Sequence, residues 1–312
     1  MNETYDVVIV GGGAAGLSAA LVLTRSRRRV AVVRGGPPRN APAEHMHGFL
    51  SRDGMPPAEL LRTGADEVAG YGGELIDDEV IGAEKDTVTG GFTVELASGR
   101  TLRARRVLIA TGLRDELPQV PGVRERWGLD VLHCPYCHGY EVRDQPIAVL
   151  GGTDPGARAR AVHVALLVPQ WSADVILFAN GLELSEQDRA RLDARGVRVV
   201  EGEVSRLVVD GELRGVELAD GRAIPRAAIF VTPAFVPNAT LLRELGCDFD
   251  ENGWVITDRF GRTSVPGVSA AGNVVDPSAQ VIVAAGAGSA AAGMLNGDLV
   301  EEDTRILVDA RV

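Results

Sequence analysis

Residues 5–17 read Tyr-Asp-Val-Val-Ile-Val-Gly-Gly-Gly-Ala-Ala-Gly-Leu. An apolar run of strand length passes directly into a glycine loop, and Leu17 to Thr24 continues as a helix before a second strand, Val30 to Val33. Gly11, Gly13 and Gly16 fall on the G-x-G-x-x-G positions, with Ala15 inside the loop. In that pattern the first glycine permits the tight turn, the second admits a pyrophosphate to the backbone, and the third brings helix and strand close together. The helix start then offers free N–H groups and a positive dipole end to phosphates. A lone glycine fingerprint is weak, but its place between strand and helix strengthens it. The acidic residue expected at the end of the second strand, to hold a ribose hydroxyl, is replaced by Arg34. Either Arg34 meets the adenosine end in another way or backbone alone holds the ribose, and both options stay open.

Working outward, Phe92 to Leu96 and Arg103 to Ala110 have strand patterns, the latter closing in Ala110-Thr111-Gly112. Pro118, Pro121 and Gly122 mark a linker, and a second β-turn-α start occupies Ile147 to Gly156. Val175 to Phe178, Val197 to Val200 and Ile229 to Thr232 read as further strands, with a helix through Ala190 to Arg195. Val204 to Leu218 reads as a hairpin turning near Asp210-Gly211. An alanine-rich helix is expected from about Val281 to Met294. Two glycine-rich β-α starts in a chain of 312 residues predict an α/β protein with two nucleotide-type domains.

The formal net charge of −11 argues against nucleic acid and anionic membranes as partners. The basic run Arg25 to Arg29 reads as the solvated end of the first helix. The N-terminus enters a strand by Tyr5, leaving no room for a signal peptide, and no apolar stretch approaches the roughly 18 residues of a membrane span. A cytoplasmic enzyme is the expectation.

The 3 cysteines include one pair, Cys134 and Cys137, within His-Cys-Pro-Tyr-Cys-His-Gly-Tyr-Glu at 133–141. A zinc site would need two more soft ligands, and the lone Cys247 does not supply them, so no metal is expected. Cys247 itself reads as a buried hydrophobe. Two intervening residues suit a small disulfide ring, stiffened here by Pro135, and neighbouring groups can depress a thiol pKa. His133 and His138 abut the pair, and either can take a proton and stabilise the thiolate that performs exchange. Glu141 is a candidate to orient His138.

With these motifs the chain resembles the low-molecular-weight thioredoxin reductase family over essentially its whole length. That resemblance implies two Rossmann-like, three-layer domains: an FAD-binding domain from residues 1–115 and 237–312, and an inserted cysteine-bearing domain from 116–236. It places FAD against the first glycine loop and the late Ala271-Gly272-Asn273 segment, where an amide stands in place of the family's acid. The cofactor-contacting set so implied is Gly11, Gly13, Ala15, Gly16, Arg34, Arg39, Asn40, His47, Thr111, Gly112, Gly272, Asn273, Gln280 and Val281. A homodimer is implied by the family alone.

Two departures from the reductases matter. Their second glycine loop binds NADPH, but here it reads Gly151-Gly152-Thr153-Asp154-Pro155-Gly156. That loop adds a side chain and a negative charge and removes a donor where a pyrophosphate needs backbone N–H groups. The next strand runs into Ala179-Asn180-Gly181 with no arginine for a 2′-phosphate. Second, the residue after the cysteine pair is His138 rather than the reductases' aspartate. Cys-Pro-Tyr-Cys-His-Gly-Tyr-Glu, with the loop Pro38 to Pro42 and His45 to Phe49, resembles instead the flavin dithiol oxidases that close disulfides in gliotoxin-, holomycin- and romidepsin-type natural products. That resemblance implies a small-molecule dithiol as substrate and molecular oxygen as acceptor, with Cys134 performing exchange and Cys137 nearer the flavin. A thioredoxin reductase fed by NADPH or another donor is the alternative. A non-catalytic flavoprotein that binds a partner or senses redox state is a third reading. His45 and His47 line a pocket or stabilise their loop.

Overall fold

The computed structural model describes residues 3–86, 90–153 and 156–311. The first sheet is built around Glu3–Val10, whose Val7, Val8, Ile9 and Val10 are all buried, as a central parallel strand covered on both faces requires. Its order is Glu74–Ile76, Val30–Val33, Glu3–Val10, Thr101–Ile109, Phe92–Leu96, Val80–Lys85. Thr101–Ile109 is shared along one edge: its first half takes antiparallel Phe92–Leu96, and its last residues take parallel Val268–Ala270. Side chains alternate across the sheet. Val7 and Ile9 pack with the helices Ala14–Arg25 and Val281–Asp309, while Val8 and Val10 join Phe92, Leu102, Leu242 and Val255 on the opposite face.

The second sheet is parallel throughout, in the order Arg198–Val200, Val175–Phe178, Ile147–Leu150, Ala228–Phe230, Val131–Leu132. One face packs on the helices Ala157–Leu167 and Glu186–Ala194. The other face packs on a three-stranded antiparallel layer of Val204–Asp210, Glu212–Leu218 and Ala223–Pro225. The expected α/β class and the hairpin turning at Gly211 are therefore both present. A two-stranded ribbon, Leu113–Glu116 against Ala234–Pro237, lies where the chain leaves the first sheet and returns to it, and it sets Phe235 directly opposite Asp115.

Two expectations are corrected. The last helix does not end near Met294 but runs 29 residues to Asp309. Arg28 is not a solvated residue at a helix end: its side chain is only 14% exposed and pairs with Asp303 at 2.7 Å. Arg105 adds contacts to Asp303 at 2.6 Å, Glu302 at 3.1 Å and Asp6 at 3.0 Å, so the distal half of the long helix is tied down by charge. The helix expected through Ala190 to Arg195 is Glu186–Ala194, started by a capping box from Ser185 and Asp188 and capped at its end by Arg195. Among the described residues no helix is long and apolar enough to cross a membrane.

Candidate active site

The parallel strands Glu3–Val10, Thr101–Ile109 and Val268–Ala270 end side by side, so the loops that follow them meet at one mouth. Gly11 has φ +114°, and a Cβ there would lie 2.3 Å from the Ala110 carbonyl oxygen, so the first glycine loop presses on the 110–112 turn. At Gly16 a Cβ would meet the Gly11 carbonyl oxygen at 1.9 Å, which is the close helix–strand approach the third glycine serves. Gly272, at φ +78°, lies against Ala15. Gly13 faces open space, and the helix it caps has no side-chain cap, leaving its first N–H groups for an anion.

Arg34 lays its aliphatic stem over Gly12, reaches Asp77 at 2.7 Å, and keeps a buried Nε with no hydrogen-bond partner. An orphaned buried donor beside an uncapped helix start fits the phosphates and ribose of a dinucleotide. Gln280 caps the long helix through its carbonyl, which accepts from the Ala284 N–H at 2.9 Å, and Val281 opens that helix. Asn273 donates its amide hydrogens to the carbonyls of Asp276 at 2.9 Å and Ala279 at 3.0 Å, which leaves its oxygen as an acceptor that fits a hydroxyl. Thr111 is committed elsewhere: its hydroxyl donates to the Asn238 carbonyl at 2.7 Å, stitching the two chain crossings together beside Gly112.

Cys134 and Cys137 form a disulfide. Cys134 caps the short helix Pro135–His138, and its Sγ accepts from the Cys137 N–H at 3.2 Å. The same N–H stabilises a thiolate on Cys134 once the bond opens. His133 is held among Trp127, parallel at 5.4 Å, Phe235, edge-on at 6.2 Å, and Arg39, whose Nη2 lies 3.4 Å from its Nε2. Burial, then the Arg39 guanidinium, push the His133 imidazole down to about 4, with Asp115 pulling the other way. His138 is also lowered, first by burial, although Glu141 opposes the shift.

Of the sequence-derived set, Arg39 and His47 lie at the redox turn rather than among the glycines. Arg39 binds Asp115 in a bidentate pair at 2.8 and 2.7 Å. His47 lies between Asp53 at 3.3 Å and Glu141 at 3.5 Å, so Glu141 reaches toward this loop histidine as well as toward His138. Asn40 accepts from the Ala43 N–H at 3.0 Å inside the same loop, and His45 is exposed. Cys247 is buried, as expected. Asp115, Trp127 and Phe235 are the neighbours of His133 that sequence reasoning missed, because no motif ties them to it.

A glycine-lined dinucleotide cleft joined to a turn with a redox disulfide defines a flavin-type thiol–disulfide oxidoreductase. The model of the pyridine nucleotide-disulphide oxidoreductases matches residues 5–289, and the chain belongs to that family. Membership implies a flavin cofactor. The chain is 59% identical to HlmI, whose crystal structure it matches with a TM-score of 0.93, covering 98% of this chain and 95% of that one. TrxB of Bacillus anthracis, 34% identical, gives a TM-score of 0.89 over 95% of this chain and 99% of its own. Thioredoxin reductase sirT of Leptosphaeria maculans is 31% identical over 94% of this chain and 93% of its own length.

Proposed function

We propose that this flavoprotein is an FAD-dependent dithiol oxidase that closes an intramolecular disulfide in a small-molecule dithiol of the dithiolopyrrolone type or a related natural product. The observation that carries the direction of electron flow is the mouth of the second sheet, where a nicotinamide nucleotide would bind at the C-terminal ends of the strands. The Thr153 methyl lies 2.8 Å from where a Cβ on Gly181 would stand, spanning the gap between two strand ends. Asn180 is pinned there, donating to the Gly151 carbonyl at 3.3 Å and accepting from the Val204 N–H at 2.9 Å. Arg158, a cation on the following helix, is engaged by Asp188 at 2.7 Å and Ser185 at 2.9 Å. Asp154 and Pro155, which the sequence reading adds to this obstruction, lie outside the described residues.

In this reading a substrate thiolate attacks Cys134 Sγ, the Cys134–Cys137 bond breaks, and Cys137 leaves as a thiolate. The second substrate thiolate then attacks the substrate sulfur of the mixed disulfide, forming the product disulfide and releasing Cys134. His138 takes a substrate proton, since a lowered pKa leaves its imidazole neutral near pH 7 with a nitrogen able to accept one. Bound FAD would supply a two-electron acceptor between the reduced cysteine pair and oxygen, and the overall reaction balances as one dithiol and one O2 giving one disulfide and one H2O2. The glycine loop, Arg34, Asn273 and the uncapped helix start would hold FAD.

The same reading divides the chain at the ribbon, with residues 1–115 and 237–312 forming the FAD unit and 116–236 the redox unit, and it includes a homodimer. The reaction is tested by mixing holoprotein with a reduced dithiolopyrrolone in air without nicotinamide nucleotide. Oxygen uptake matched one-to-one by peroxide and product disulfide is expected. No oxygen uptake until NADPH is added would return the chain to the reductases.

A further inference from the structure

Four segments distant in sequence meet at His133. Trp127 comes from the turn before the redox motif, Asp115 and Phe235 from the two strands of the ribbon, and Arg39 from the loop after the second strand. Asp115 and Phe235 are direct cross-strand partners, and Arg39 uses both: it pairs bidentately with the carboxylate and lies over the ring at 5.1 Å from its centre. The Asp115 side chain is only 8% exposed, so this pair is shielded from solvent and its geometry is held firmly. The guanidinium cannot serve as an acceptor and does not lose its proton. The nitrogen it faces, His133 Nε2, must therefore be the acceptor, and any proton on a neutral His133 must lie on Nδ1.

We infer that Arg39 is a positioning residue for the redox turn: by donating to Nε2 it fixes His133 as a neutral, Nδ1-protonated ring beside Cys134 and removes it from proton transfer. The basic nitrogen of His133 is occupied, so of the two histidines flanking the pair only His138 retains one that is free to work. The charged groups facing His133 are Arg39, Asp115 and His138, and burial together with the first disfavours an imidazolium. His138's part rests on the proposed reaction, whereas the state of His133 does not.

The test is nitrogen-resolved NMR of the holoprotein labelled in its 5 histidines, from pH 5.5 to 8, with His133 assigned through a His133→Asn variant. The wild type is expected to show an unprotonated Nε2 and a protonated Nδ1 that do not titrate in this range. Arg39→Met is expected to shift the ring toward the Nε2–H tautomer and, by loosening the placement of the redox turn, to lower kcat about tenfold, short of the roughly hundredfold cost of a 1 Å misplacement. Arg39→Lys, which keeps a cationic donor, should retain the wild-type tautomer. An Nε2–H signal or a titration near pH 6.5 in the wild type overturns the inference without any variant having to fold, and so does an unchanged tautomer in Arg39→Met. If His133 behaves as expected but wild-type protein takes up no oxygen with dithiol, the oxidase reading fails and the role of Arg39 stands.

Discussion

His133 couples the redox turn to pH through a depressed pKa. An imidazole that ionises near 6.5 in the unfolded chain and at about 4 in the native one binds fewer protons when folded throughout that interval. Stability therefore rises with pH between about 4 and 6.5, is fully present above 6.5, and is lost as pH falls through the native value. The upper bound for this one residue is about 3 kcal/mol, at 1.36 kcal/mol per pKa unit. Denaturant unfolding of wild type and His133→Gln from pH 4 to 7 should show a steeper acid loss in the wild type, and parallel curves would contradict this. Very little of this was legible in the sequence. The pairing of His133 with the cysteines was visible because they are adjacent, but Asp115 and Arg39 lie 76 residues apart and no periodicity joins them. Arg34 was visible as an anomaly, and the structure supplies its content: a stem across Gly12 and an unsatisfied Nε.

The first β-α-β unit was readable because each of its elements obeys local rules. Buried valines fill the strands, glycines stand where backbones collide, and the helix starts without a side-chain cap where an anion is wanted. The long last helix was readable only to Met294. Beyond it Asn296, Gly297 and a run of charges weaken the helical pattern, while the contacts that carry it on are ion pairs to Arg28, Arg105 and Arg106 in other elements. The ribbon strands were missed for a related reason: Leu-Arg-Asp-Glu is mostly charged and Ala-Phe-Val-Pro is a short run ending in proline, so neither announces a pair. One crossing in this layer makes a firm prediction. A Cβ on Gly288 would lie 1.9 Å from the Ala15 carbonyl oxygen, so the long helix touches the backbone of the first helix just behind the glycine loop. Gly288→Ala should cost about 1–3 kcal/mol by overpacking and loosen flavin retention, whereas Gly286→Ala, facing open space, should do neither. Thermal melts and the flavin-to-protein absorbance ratio of the two variants decide the point.

Across the whole molecule, both sheets carry parallel strands but differ at the mouths of those strands. The first mouth is lined by glycines and an uncapped helix, and it keeps an orphaned arginine donor. The second is spanned by Thr153 and pinned by Asn180. The disulfide turn lies against the loop that leaves the first sheet, through Arg39 to His133 and His47 to Glu141. In the proposed reading, electrons run between the thiols and the first cleft, and the second does not admit a nicotinamide nucleotide. Anaerobic stopped-flow mixing of the oxidised holoprotein measures that asymmetry directly, with flavin absorbance near 450 nm as an approximate, standard readout. The account predicts rapid bleaching by a reduced dithiol, abolished in Cys134→Ser, and no bleaching by NADPH on the same timescale. Fast bleaching by NADPH, with none by the dithiol, would contradict it.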